Sequence, residues 1–190
     1  YNKQILSPTL GRDVINASLM AGLAGLLIVM IYMFIVYGKV GLVADVALIY
    51  NSLVLFAAIS ITGSILSLPG IAGIVLTIGM TVDGNILINE RIKEELRIGK
   101  TPENAVDSAF SKVFWTIFDA NITTILTGLV LLYFGTGTVK GFAITLIIGI
   151  LGAMFTNLVT SRTMLVAMGP SINPHKYVKD YEQKTEGRGK

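Results

Sequence analysis

Four stretches of this chain, residues 14–38, 46–82, 122–139 and 141–161, contain no charged residue. A helix needs about 20 apolar residues to cross the ~30 Å hydrocarbon core of a bilayer. Lipid offers nothing to pair with backbone N–H and C=O groups, so runs of this kind must close their own hydrogen bonds as helices. The chain has 190 residues, of which only 14% are charged, and 53% are hydrophobic. A soluble domain carries about 25% charged residues. The expected fold is therefore all-α: a polytopic transmembrane helix bundle.

Five spans fit the runs, over residues 14–37, 42–66, 70–89, 113–134 and 141–166. Gly38-Lys-Val-Gly41 is a tight turn, Ser67-Leu-Pro-Gly70 breaks the chain through proline sterics and a permissive glycine, and Gly135–Lys140 separates the last two spans. The expected organisation is a lead-in over 1–13, a membrane domain over 14–168 and a tail over 169–190. The one long loop, 90–112, should hold two short surface helices. The first is the alternating run Glu90-Arg-Ile-Lys-Glu-Glu-Leu-Arg97, which Gly99 can stop. Thr101-Pro102-Glu103 then reads as N-cap, proline at the first helical position and an acid in the first turn. Outside the spans, eleven Lys and Arg fall on the side of this loop and the tail, against Lys3, Arg12 and Lys140 opposite. The positive-inside rule then makes loop and tail cytoplasmic and the N-terminus extracytoplasmic. Tyr1 and the residues after it do not form a signal peptide, so a preceding segment is expected.

Composition also excludes chemistry. There is no cysteine, and the single histidine, His175, lies in the tail. Disulfides, thiolate sites and histidine-based metal or triad sites are not expected, nor is a cofactor. The net charge of +3 follows from the loop bias and is no sign of nucleic-acid binding.

Asp83 interrupts this pattern, directly after the longest charge-free run. A carboxylate at the bilayer centre costs about 2.5–3.5 kcal/mol on insertion scales. Thr77, Thr81, Asn85 and Asn89 recur every four residues and form one stripe of the third span. Asp83 is two residues, about 200° of rotation, from Thr81 and Asn85, so it lies nearly opposite. A helix polar on both sides should be central, with neighbours on both flanks, and Gly70, Gly73, Gly79 and Gly84 would let them approach closely. The fourth span carries Thr116, Asp119, Thr123 and Thr127 on one face, and Asp119-Ala-Asn-Ile122 echoes Asp83-Gly-Asn-Ile86. Asp83 and Asp119 both lie about 10 Å below the loop side. Sharing one pocket, they could not both stay ionised, and one would titrate near physiological pH. Asp45 reads as an interfacial or capping acid, Arg162 as a snorkelling anchor that could instead pair with an acid, the Glu90–Arg97 charges as a solvated helix face, and Trp115 and Tyr133 as interface anchors. The Gly22–Gly25 cluster reads as packing.

Several long motifs carry a resemblance. Leu68-Pro-Gly-Ile-Ala-Gly-Ile-Val-Leu-Thr-Ile-Gly-Met80, Val82-Asp-Gly-Asn85, Glu90-Arg-Ile-Lys-Glu-Glu-Leu96, Phe118-Asp-Ala-Asn-Ile-Thr-Thr124, Tyr133-Phe-Gly-Thr-Gly137, Val139-Lys-Gly-Phe-Ala143 and Ser7-Pro-Thr-Leu-Gly11 are similar to the SecD family of bacterial protein-export subunits. The resemblance implies a membrane domain of the resistance-nodulation-division type. It also implies that these are spans two to six of six, with a large extracytoplasmic domain upstream. It further implies partnership with SecF and the SecYEG channel, a location in the inner membrane, and use of the proton gradient to draw preproteins outward. The family's intramembrane aspartate maps onto Asp83, and its Asp-Ala-Asn motif onto Asp119, Ala120 and Asn121. The proton-relay set implied is Asp83, Asp119, Asn85, Asn121 and Thr123. Gly84 stands where alanine is usual and Asn89 where an aromatic is common.

No enzymatic activity is expected. The other readings are a proton-coupled exporter of lipids or small molecules from the same superfamily, an intramembrane aspartyl protease, and a purely structural role for Asp83. The protease lacks its usual Gly-x-Gly-Asp element, since Thr81 stands where the nearer glycine would be.

Overall fold

The computed structural model describes residues 8–62, 68–168 and 172. Among them there are no strands, and five helices are long and apolar enough to cross a membrane. In chain order these are α1 (Pro8–Tyr37), α2 (Lys39–Thr62), α3 (Leu68–Arg97), α4 (Pro102–Phe134) and α5 (Thr138–Phe155). A π-turn at Thr156–Thr160 interrupts the fifth crossing, which resumes as α6 (Ser161–Met168). The expectations for residues 1–7, Ser67 and most of the tail lie outside the described residues.

The breaks fall where the backbone demands them. Gly38 takes φ 55° between α1 and α2, and Gly99 takes φ 88° after α3, a region that other residues rarely enter. Thr101 is the extended N-cap of α4, with Pro102 following it. The loop helices expected over 90–112 exist, but not as separate elements. Each is continuous with a span: α3 runs unbroken from Leu68 to Arg97, and α4 from Pro102 to Phe134. The alternating charges do not stop a helix that the preceding turns have already nucleated.

α3 is the central helix, packed against α1, α2, α4 and α5. Its closest neighbour is α5, where two glycines allow contact. A Cβ placed on Gly149 would lie 2.5 Å from the Thr77 hydroxyl oxygen, and one on Gly73 would overlap Thr145. Gly79 meets nothing within 4 Å, so it does not serve the close packing expected of it. A Cβ on Gly22 of α1 would lie 3.3 Å from Val75, whereas one on Gly25 would meet nothing within 4 Å. Beyond the membrane run, Ile92, Leu96, Val106, Ala109 and Phe110 join Val40, Val43 and Leu165 in a buried cluster that ties the α3–α4 hairpin to α2 and α6. These side chains are buried from water, worth about 1.5–3 kcal/mol for each large one.

Candidate functional site: the two polar faces of α3

One polar face of α3 is buried inside the bundle. Thr77, Thr81, Asn85 and Asn89 are all 2% exposed or less. Thr77 and Thr81 return their hydroxyl protons to helix carbonyls, with Thr81 bonding the Thr77 carbonyl at 2.8 Å. Asn51 of α2 donates to the Thr81 hydroxyl at 2.8 Å and accepts from Thr156 at 3.4 Å. Ser161 donates to Asn85 at 2.9 Å. The stripe thus fastens α3 to α2 and to the π-turn and α6.

The other face points out of the bundle. Asp83 is exposed, and no hydrogen bond or ion pair reaches its carboxylate among the described residues. It lines a groove of about 200 Å³ between α3 and α4, with Met80, Gly84, Leu87, Thr116, Ile117, Ala120 and Asn121. The expected flank on this side is therefore only half built by the chain itself. Asn121 is buried at the groove and donates to the Ile117 carbonyl at 2.8 Å. Asp119 and Thr123 are exposed on α4, joined by a hydrogen bond from the Thr123 hydroxyl to the Asp119 carbonyl at 2.8 Å, and neither lines the groove. Of the relay set, Asp83 and Asn121 meet. Asn85 lies on the opposite face, and among the described residues Asp83 and Asp119 do not line a common pocket. Helical periodicity gives an angle around an axis but not the neighbour found there.

Gly84 connects the two faces. Its missing side chain admits Asn157 of the π-turn, whose amide would overlap any Cβ at this position. Asn157 is 1% exposed and its Oδ1 has no partner among the described residues. π-turns occur disproportionately at functional sites.

Burial and pairing bear on three further residues. Asp45 is 6% exposed on α2, buried within the bundle, with Oδ1 unpartnered among the described residues. Arg162 takes the second of its two readings and pairs with an acid, Asp107, at 3.4 Å, although both are more than half exposed and such pairs contribute little. Glu95 is not on a solvated face. Its side chain is fully buried and holds Lys100 at 2.6 Å, Lys112 at 2.7 Å and Arg91 at 3.0 Å, with Ser108 donating at 3.1 Å. The hydrogen bonds from Lys100 and Lys112 outweigh burial and lower its carboxyl from 4.5 to about 2. Only the Arg91–Glu95 spacing was visible locally; Lys100, Ser108 and Lys112 reach it across the hairpin turn. Trp115 and Tyr133 are exposed near opposite ends of the fourth span, as interface anchors would be.

An all-helical membrane domain whose central helix is polar on one buried and one open face is thus the class the geometry defines. The chain belongs to the family described as the C-terminal region of the SecD/SecF protein export membrane proteins, which matches residues 1–170. It is 61% identical over 179 residues to the protein translocase subunit SecD of Petrotoga mobilis, covering 94% of this chain and 38% of that protein. It is 48% identical over 163 residues to the SecD of Calditerrivibrio nitroreducens, covering 86% of this chain and 32% of that one. A crystal structure of SecDF from Thermus thermophilus, described as a translocon-associated membrane protein, superposes with a TM-score of 0.83 at 44% identity. That match covers 86% of this chain and 23% of the Thermus chain. The chain therefore spans well under half the length of these relatives.

Proposed function

We propose that this domain is the proton-driven part of a protein-export accessory subunit, with Asp83 as the residue that takes and releases the proton. The observation that carries the reading is a carboxylate after a 37-residue charge-free run, turned outward into a half-open groove instead of into the bundle. A packing group would lie on the buried face, where Asn85 and Thr81 already do that work. Placed in a bilayer, an exposed carboxylate needs cover. Thr116, Asp119, Thr123 and Thr127 extend the exposed polar strip along α4, so the cover must be polar as well. A helix of a related subunit, SecF in the family's terms, fits that requirement. Asp119 and Thr123 would then join Asp83 and Asn121 across the joint interface, while Asn85 anchors the helix from behind. The loop end faces the cytoplasm, the first residues face outward, and the whole sits in the inner membrane beside the SecYEG channel, acting on emerging preproteins. One elementary charge crossing the field supplies about 2.3 kcal/mol per 100 mV.

The test is gradient-driven preprotein translocation by the full-length subunit with its partners. Asp83→Asn should abolish the gradient-dependent part and leave the protein folded. Wild-type translocation in that variant would refute the proposal. An aspartyl protease would need both carboxyls beside one water, and the separate placement of Asp83 and Asp119 disfavours it.

A further inference from the structure

The groove at Asp83 does not end there. A second groove, about 460 Å³, lies between α3 and α4 on the hairpin side, lined by Leu87, Glu90, Arg91, Glu94, Lys112, Val113 and Thr116. The two share Leu87 on one wall and Thr116 on the other. Together they form one track from the apolar depth of Asp83 to the charged hairpin, and each part has room for several waters.

Thr116 stands where the two grooves join, and its hydroxyl is distinctive. Thr123, Thr124 and Thr127, the other threonines of α4, each donate to the carbonyl four residues back, at 2.8, 3.0 and 3.0 Å. Among the described residues the Thr116 hydroxyl makes no hydrogen bond. Of the four α4 threonines it alone keeps both its proton and its lone pairs for other partners. The hairpin end of the track carries acceptors and donors in balance: Glu90 pairs with Lys93, Glu94 with Arg91, and Lys112 with the buried Glu95. Glu90 and Glu94 are about half exposed, so they can exchange protons with bulk water.

We propose that this track is the cytoplasmic half of the proton path, with Thr116 as the relay between Asp83 and the Glu90–Glu94 mouth. The inference rests on the function and orientation proposed above. Asp83 gives up its proton to water in the inner groove and becomes a carboxylate. The Thr116 hydroxyl accepts a proton on a lone pair from that side and releases its own toward the outer groove. One proton leaves, and the threonine ends as it began. Leu87 sets the width of the junction.

The test uses the full-length subunit with its partners in sealed vesicles, reading gradient-driven translocation. Thr116→Val keeps the shape and removes the hydroxyl. It should slow the gradient-driven rate at least about tenfold, since a positioned proton-transfer group contributes about 10²–10⁴-fold. Thr116→Ser should restore the rate to within about twofold, which a purely packing role for the methyl group would not do. Leu87→Phe, which narrows the junction from the other helix, should slow it as well and serves where Thr116→Val lowers the amount of folded protein. If Asp83→Asn abolishes the gradient-driven rate while folded Thr116→Val or Leu87→Phe works at the wild-type rate, the path runs elsewhere. If Asp83→Asn itself works normally, the function proposed for the domain fails first.

Discussion

The two polar faces of α3 are built from similar residues and do opposite things. On the inner face every Thr or Asn side chain but Asn89 is bonded to the helix or across it, and all four are buried, with Thr77 against Gly149 of α5, Thr81 bonded to Asn51 of α2 and Asn85 to Ser161 of α6. On the outer face Asp83 has no partner among the described residues and an open groove. Bonded polar groups between membrane helices contribute about 0.6 kcal/mol each on average, enough to fix the register of helices but not to do chemistry. A carboxylate costs several times that, and it is kept away from the groups that could have satisfied it. Polarity inside a membrane domain therefore has two meanings, and what separates them is whether the chain itself completes the bonding.

Moving the charge from one face to the other gives the largest expected effect. Asn85→Asp puts a carboxylate of nearly the same shape on the sealed face, beside Ser161 and the Thr81 carbonyl. It should destabilise the domain by more than about 3 kcal/mol at neutral pH, read as the unfolding midpoint in detergent. Asp83→Asn should leave the same midpoint within about 0.5 kcal/mol, because the group is exposed. Equal midpoints for the two variants would erase the distinction between the faces.

The hairpin offers a contrast, a buried carboxylate that is fully partnered. The folded-state value of Glu95 lies below its ordinary one, so its contribution is present above pH 4.5 and is lost as pH falls toward 2. The loss should be on the order of 1 kcal/mol, since Arg91, Lys100 and Lys112 are partly exposed and water screens the pairs. Glu95→Gln should flatten that acid limb in a stability–pH profile, whereas Asp107→Asn, at an exposed pair, should not.

How much of this could be read from residues alone follows from the kind of signal each feature carries. The five crossings were legible because charge-free runs of that length have one physical solution, and the split of α3 into two polar faces followed from its period. Gly99, Thr101 and Pro102 marked the hairpin turn correctly. The covering of each face was not legible, since a period says nothing about which neighbour arrives. Glu95 was hidden because its cations lie across the turn, and Asp45 because a span's edge in sequence does not fix what packs over it. The π-turn at Thr156–Thr160 has no local marker, and it became visible only with the space that Gly84 leaves for Asn157.

That space gives the smallest expected effect. Gly84→Ala adds a methyl group that displaces the Asn157 amide, against a helix-propensity gain of about 1 kcal/mol. The displaced atom is the end of a side chain that can turn, so the net change in midpoint should stay within about 0.5 kcal/mol. A loss of several kcal/mol would mean that the Asn157 contact, and not the open face alone, holds the region around Asp83 in place.

In the function proposed above, the outer face of α3 moves protons and the inner face does not. The most direct measurement is proton entry into proteoliposomes holding the full-length subunit with its membrane partners, followed with an internal pH dye under an imposed gradient. Flux that disappears in Asp83→Asn and persists in Thr81→Val, at equal amounts of folded protein, is the predicted result. Undiminished flux in Asp83→Asn would contradict the account.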